Sequence, residues 1–101
     1  MPAKPLNTRF LKSAILENNK NEISNMRSTL ANASSSKEYS MCIQNMAAYF
    51  YADDIDNFWT THTDLKTQFV LALSQSAQKS YLISLLDKAL DLVNADIQSQ
   101  Q

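Results

Sequence analysis

Ser80-Tyr81-Leu82-Ile83-Ser84-Leu85-Leu86-Asp87-Lys88-Ala89-Leu90-Asp91-Leu92-Val93 is the most apolar and most periodic stretch of the chain, and its reading decides the fold. At about 100° per residue, Leu82, Leu85, Leu86, Ala89, Val93 and Ile97 share one helical face. Ser80, Ser84, Asp87, Asp91 and Asn94 share the opposite face. Tyr81 and Leu92 widen the apolar side on one flank; Ile83 and Leu90 widen it on the other. The resulting arc is roughly 200°, about twice the stripe of a simple surface helix. Such a helix needs cover on two sides, from its own chain or from a partner. Tyr81, Leu85 and Leu92 can meet the second and third helices. Ile83 and Leu90 must meet the first, whose apolar stripe is broken at Asn19, so imperfect cover is expected there.

Outside this stretch the chain reads as helix throughout. Glycine is absent from all 101 residues, which argues against hairpin-rich β structure and removes every glycine-dependent phosphate loop. Both prolines, Pro2 and Pro5, precede the first periodic segment, so nothing downstream is forced to kink. From Leu6 to Ala33 a stripe runs through Leu11, Ile15, Asn19, Ile23, Met26, Leu30 and Ala33. Asn18-Asn19-Lys20-Asn21 weakens the centre of this helix without ending it. Asn32 to Ser36 is a clear break, and Ser35 followed by Glu38 has the spacing of a capping box. The second helix places Tyr39, Cys42, Ile43, Met46 and Phe50 on one face, with Tyr51 pointing away. Asp53 and Asp54 suit a helix start. Ile55, Phe58, Trp59, His62, Leu65, Phe69 and Leu73 then keep one phase, which predicts a single, bent third helix across the weak Thr60-Thr61-His62-Thr63 run. Ser74 or Ser76 can cap the last helix.

The expected fold is therefore all-α: a single-domain antiparallel bundle of four main helices, 6–33, 36–51, 54–74 and 77–97, with the C-terminal helix central. Residues 1–5 read as an arm, 6–98 as the bundle domain and 99–101 as a frayed tail. A chain of this length suits one domain and buries roughly two-thirds of its unfolded surface.

Composition bounds function mainly by exclusion. No apolar run approaches the ~20 residues of a membrane span, and the N-terminus lacks the apolar core of a signal peptide, so a cytoplasmic setting is expected. The single cysteine, Cys42, excludes an intrachain disulfide and any multi-thiolate metal site; it reads as a small buried hydrophobe. The single histidine, His62, lies on an apolar stripe with no second imidazole or thiolate at ligand spacing and reads as partly buried and structural. Asp53-Asp54-Ile55-Asp56 is not a calcium loop: counted from Asp54, the glycine and glutamate positions hold Trp59 and Leu65. No nucleophile–base pair is visible, and no cofactor or metal is expected.

Charge is uneven. Residues 1–51 carry six Lys/Arg against three Glu, and residues 52–101 three Lys against seven Asp. A helix-turn-helix over Phe69–Leu82 would aim Asp87 and Asp91 at phosphates, which repels. The leading expectation is a non-enzymatic protein-binding module, such as an adaptor, chaperone or inhibitor, acting on a protein partner or a second copy of itself. Tyr51, Leu71, Ile83 and Leu90 are the candidate contact residues because they fall off the core stripes. The alternative is a nucleic-acid-binding regulator using Lys4, Arg9, Lys12, Lys20 and Arg27, which share no single stripe.

Overall fold

The computed structural model describes the backbone of residues 3–51, 57–75 and 77–99, and the side chains of 13–51, 58–75 and 77–99. All regular structure among the described residues is helical: α1 (Ala3–Asn32), α2 (Ser36–Tyr51), α3 (Asn57–Thr61), α4 (Thr63–Ser74) and α5 (Lys79–Ser99). α1 begins three residues ahead of the expected Leu6. Pro5 lies in its first turn, where a missing N–H forfeits no helical hydrogen bond. The expected aspartate cap at 53–54, the Ser76 cap and the end of the tail lie outside the described residues.

The long helices close into a ring: α1 packs on α5, α5 on α4, α4 on α2 and α2 on α1. The α1–α5 seam is the most extensive of these contacts. It runs antiparallel, since Arg27 meets Asp87 and Lys79 Nζ donates to the Ala33 carbonyl (2.8 Å). α1 spans about 45 Å at 1.5 Å per residue, and the molecule is a rod of 55 × 23 × 18 Å.

The seam repeats every three or four residues. Leu16, Asn19, Ile23 and Leu30 are buried on α1, with Met26 half-buried between them; Leu82, Leu86, Ala89, Val93 and Ile97 are buried on α5. This is the spacing of a coiled-coil seam. All six residues placed on the α5 face from its periodicity are buried. On α1, Leu16 is buried and Ile15 only half-buried, so the inner edge of the stripe is one residue later than expected.

In place of one bent third helix there are two, α3 and α4, separated at His62. Its backbone (φ −113°, ψ 58°) leaves the helical region. The phase nevertheless survives. His62 N donates to Phe58 O (3.0 Å) and Lys66 N donates to His62 O (3.1 Å), so Phe58, Trp59, Leu65, Phe69 and Leu73 still face inward. The cause is local: three threonines surround His62, and β-branched side chains lose rotamer freedom in a helix. The ring of His62 is also drawn out of the stripe to α5, where Nε2 lies 2.8 Å from Asp96 Oδ2.

Aromatic rings fill the middle. Phe50 stacks on Phe69 (4.6 Å between centroids), and Trp59 meets Phe50 and Phe58 edge-on at 4.9 and 4.7 Å. These contacts join α2, α3 and α4.

The start of α2 follows the capping pattern with one shift. Ser35 Oγ accepts from Glu38 N (3.2 Å), and the Glu38 carboxylate reaches back to Ser34, taking its N–H (2.7 Å) and its hydroxyl (2.8 Å). α5 begins two residues later than expected, after Gln78, whose carbonyl accepts from Tyr81 N and Leu82 N at 3.1 Å. Ser74 does not cap it: its hydroxyl turns back to Leu71 O (2.8 Å).

Leu86 and Leu71 separate seam from surface. Leu86→Ala should lower stability by about 2–5 kcal/mol in urea unfolding, whereas Leu71→Ala should stay within about 0.5 kcal/mol. Equal losses would mean the seam is misplaced. The Ser34 hydrogen bonds, backbone first and hydroxyl second, hold the Glu38 carboxyl below its ordinary value of 4.5. Their contribution to stability is therefore fully present above 4.5 and is lost as the pH falls through the lower folded value. An NMR titration of Glu38 should show that depressed midpoint, and Ser34→Ala should move it part of the way back.

Candidate functional site

Three surfaces and one partly buried network bring polar and exposed apolar groups together. The network lies inside the bundle. Trp59 Nε1–H donates to Tyr49 Oη (2.7 Å), Tyr49 O–H donates to Glu22 Oε1 (3.2 Å), and Asn19 Nδ2 reaches the same oxygen at 3.4 Å. It ties α1 to α2 and α3. Asn19 is fully buried in the α1–α5 seam, level with Ala95 by the Arg27–Asp87 register. A polar residue at one seam position sets register in paired helices at some cost in stability. Sequence reading recognised Asn19 as inward-facing but missed its associates: Glu22 one turn on along α1, and Tyr49 from α2.

The first surface is the α4–α5 seam near His62. Thr61, His62, Asp64, Leu65, Gln68, Lys88 and Leu92 border a hollow of about 190 Å³. The carboxylate beside His62 calls for the proton on Nε2. The other ring face packs against Phe58, 4.7 Å between centroids. This arrangement fixes the imidazole; it brings no nucleophile to it. Among the described residues no group of three or more His, Cys, Asp or Glu side chains comes together as a metal site.

Further along the same seam lie two exposed apolar side chains, Leu71 (54%) and Tyr81 (48%). Gln68 and Lys88 border the same hollow, and Leu71 on α4 and Tyr81 on α5 both lie beyond it, away from the His62–Asp96 end. Of the four candidate contact residues, Leu71 and Tyr51 (55%) are exposed. Ile83 and Leu90 are half-buried against the core. Among the large apolar residues of α5 exposure is greatest at Tyr81, while Leu92 on the same flank and Ile83 and Leu90 on the other are all half-buried, so cover is partial on both flanks. α4 ends at Ser74, so no helical turn reaches across Tyr81. On the other flank α1 runs the full length of the seam and covers Ile83 and Leu90 in part.

The second surface is the groove between α1 and α2. Cys42 Sγ–H donates to the Thr29 carbonyl (3.6 Å), and Met41 is exposed at the rim (54%). The groove holds about 500 Å³ and continues along α1 and α2 into a second open hollow of about 140 Å³ that reaches Met26 and Met46.

The third is the end of the bundle where the 33–35 and 75–78 connections meet. The Tyr39 hydroxyl donates to Ala77 O, and burial pushes its pKa up. With Lys79 on Ala33, this stitches the two connections together.

Of the basic residues in the nucleic-acid alternative, Lys4, Arg9 and Lys12 have side chains outside the described residues. Arg27 is held by both Asp87 oxygens, Nη2 at 3.4 Å from Oδ2, and its pKa is raised chiefly by that hydrogen bond. No described helix is long and apolar enough to cross a membrane. No family model matches the chain, and neither a curated protein nor a solved structure matches it.

Tyr49→Phe tests the internal network. It removes the acceptor of Trp59 Nε1 and a donor to Glu22, and should cost about 1–3 kcal/mol in chemical unfolding. A loss under about 0.5 kcal/mol would mean that the network is not intact in solution.

Proposed function

We propose that this chain is a non-enzymatic protein-binding module: a small adaptor, chaperone or inhibitor that masks one partner through an apolar helical face. The observation that carries the reading is the Leu71–Tyr81 pair. Two large apolar side chains, one on α4 and one on α5, are each about half exposed. A rigid aromatic beside an aliphatic group suits the centre of a protein interface, with Ser84, Gln75 and Gln78 as a polar rim. Tyr51 lies at the far end of α2 and belongs to a separate patch.

Ser84, Gln75 and Gln78 are uncharged, which favours a partner that meets the seam with apolar groups. The reading takes the protein as cytoplasmic. A second copy of the chain is the simplest alternative occupant, since a two-fold interface uses the same patch twice. Of the basic residues in the nucleic-acid reading, Lys4, Arg9 and Lys12 have side chains outside the described residues, and Arg27 is held by Asp87.

A photo-crosslinking residue placed at 71 or 81 tests this in the cells of origin. Adducts of one discrete mass at both positions are expected, with none at the exposed control Ser28. An adduct at twice the chain mass would identify the partner as a second copy. Equal, diffuse labelling at all three positions would count against a binding face at the α4–α5 seam.

A further inference from the structure

The inner side of α2 is closed: Cys42, Met46 and Phe50 are buried, with Tyr39, Ile43 and Ala47 packed against the core. Its outer side is not explained by the fold. Met41, Gln44, Ala48 and Tyr51 are all exposed and follow one another at steps of three, four and three residues. That is the spacing of a coiled-coil seam. On a helix the four fall within about 80° of one another, opposite the buried stripe. Met41 and Tyr51, at the two ends, are 54% and 55% exposed. No Lys, Arg, Asp or Glu follows Glu38 in this helix. A solvent-facing helix side ordinarily carries such groups, as α4 does with Asp64 and α5 with Asp87, Lys88 and Asp91.

The order of these residues points to the occupant. Steps of three, four and three read the same from either end. The stripe therefore stays in register when laid against a copy of itself running the opposite way. With the two-fold axis level with Met46, Met41 of one copy falls opposite Tyr51 of the other, and Gln44 opposite Ala48, each pair occurring twice. A thioether then meets an aromatic ring at both ends, which is a favourable contact. The small Ala48 leaves room for the longer Gln44. Such reciprocity is what a two-fold interface requires: where one residue touches a second, the second touches the first. A neutral stripe also meets itself without like-charge repulsion, whereas a strongly charged partner would find no counter-charge on it.

We propose that the outer face of α2 docks a second copy of the chain in an antiparallel, two-fold α2–α2 contact. The helix is about 24 Å long and 10–12 Å across, so a strip along it covers on the order of 300 Å² per copy. A standard stable interface covers about 800 Å² per partner. The dimer is accordingly weak and exchanges with monomer as concentration changes. In the ring of helices α2 stands across from α5. The contact uses neither Leu71 nor Tyr81 and is independent of the protein-binding proposal at the α4–α5 seam.

Sedimentation equilibrium of the full chain tests this. The mean mass is expected to rise from one chain toward two between micromolar and millimolar concentration. Ala48→Glu, at an exposed position, should leave helicity and unfolding unchanged and raise the dissociation constant by about tenfold or more. Adding Gln44→Lys to Ala48→Glu should restore association, because antiparallel pairing brings the new lysine of each copy to the new glutamate of the other. Parallel pairing would set like on like. Leu71→Ala should leave the dimer unchanged. The proposal is overturned if the protein stays monomeric throughout, if its dimer survives Ala48→Glu or is lost with Leu71→Ala, or if Gln44→Lys does not restore it.

Discussion

Everything in this molecule depends on the antiparallel seam between α1 and α5. Leu16, Ile23 and Leu30 lie against Leu82, Leu86, Ala89, Val93 and Ile97, and all are buried. Neither helix is stable alone in water: burial of one long apolar stripe against another is what holds each. The seam is tied at two points, Arg27 to Asp87 and Lys79 to Ala33. With these two helices set, α2 and the α3–α4 pair close the ring by short connections, and the aromatic cluster of Phe50, Phe58, Trp59 and Phe69 fills what remains. The exposed Arg27 pair adds little energy of its own and serves chiefly to mark register.

Asn19 gives the seam its specificity. An apolar residue at that position would bury more favourably, but it would let α1 slide by a heptad with little loss. The amide instead requires polar company, which it finds with Glu22, and Glu22 in turn engages Tyr49 and through it Trp59. Three helices are thus aligned by one chain of partly buried hydrogen bonds, in which the loss of one member is felt by its neighbours.

The sequence was most informative where a helix has one clear face. Fold class, the helical bounds of α2, the Ser35–Glu38 cap and the whole buried face of α5 follow from periodicity and capping chemistry alone. It was less informative where the outcome depends on a second element. Leu16 is buried in preference to Ile15 because the α5 register decides which edge of a broad stripe turns inward. The break at His62 is invisible to phase, since the stripe continues across it, and needs Asp96 on another helix to draw the ring away. Tyr81 is exposed because α4 stops short of it, a matter of where one helix ends and not of the composition of the other. The α1–α2 groove joins Met26 to residues at 42–46, and no spacing rule connects them.

The proposed binding surface uses what the seam leaves over: the end of α5 at Tyr81, beyond the last turn of α4. Native-state hydrogen exchange tests the central role of the seam most directly. The account predicts that the slowest amides fall within residues 16–30 of α1 and 82–97 of α5 and exchange together at the free energy of global unfolding. Exchange of α1 ahead of α2 and α4, with α5 still protected, would contradict it.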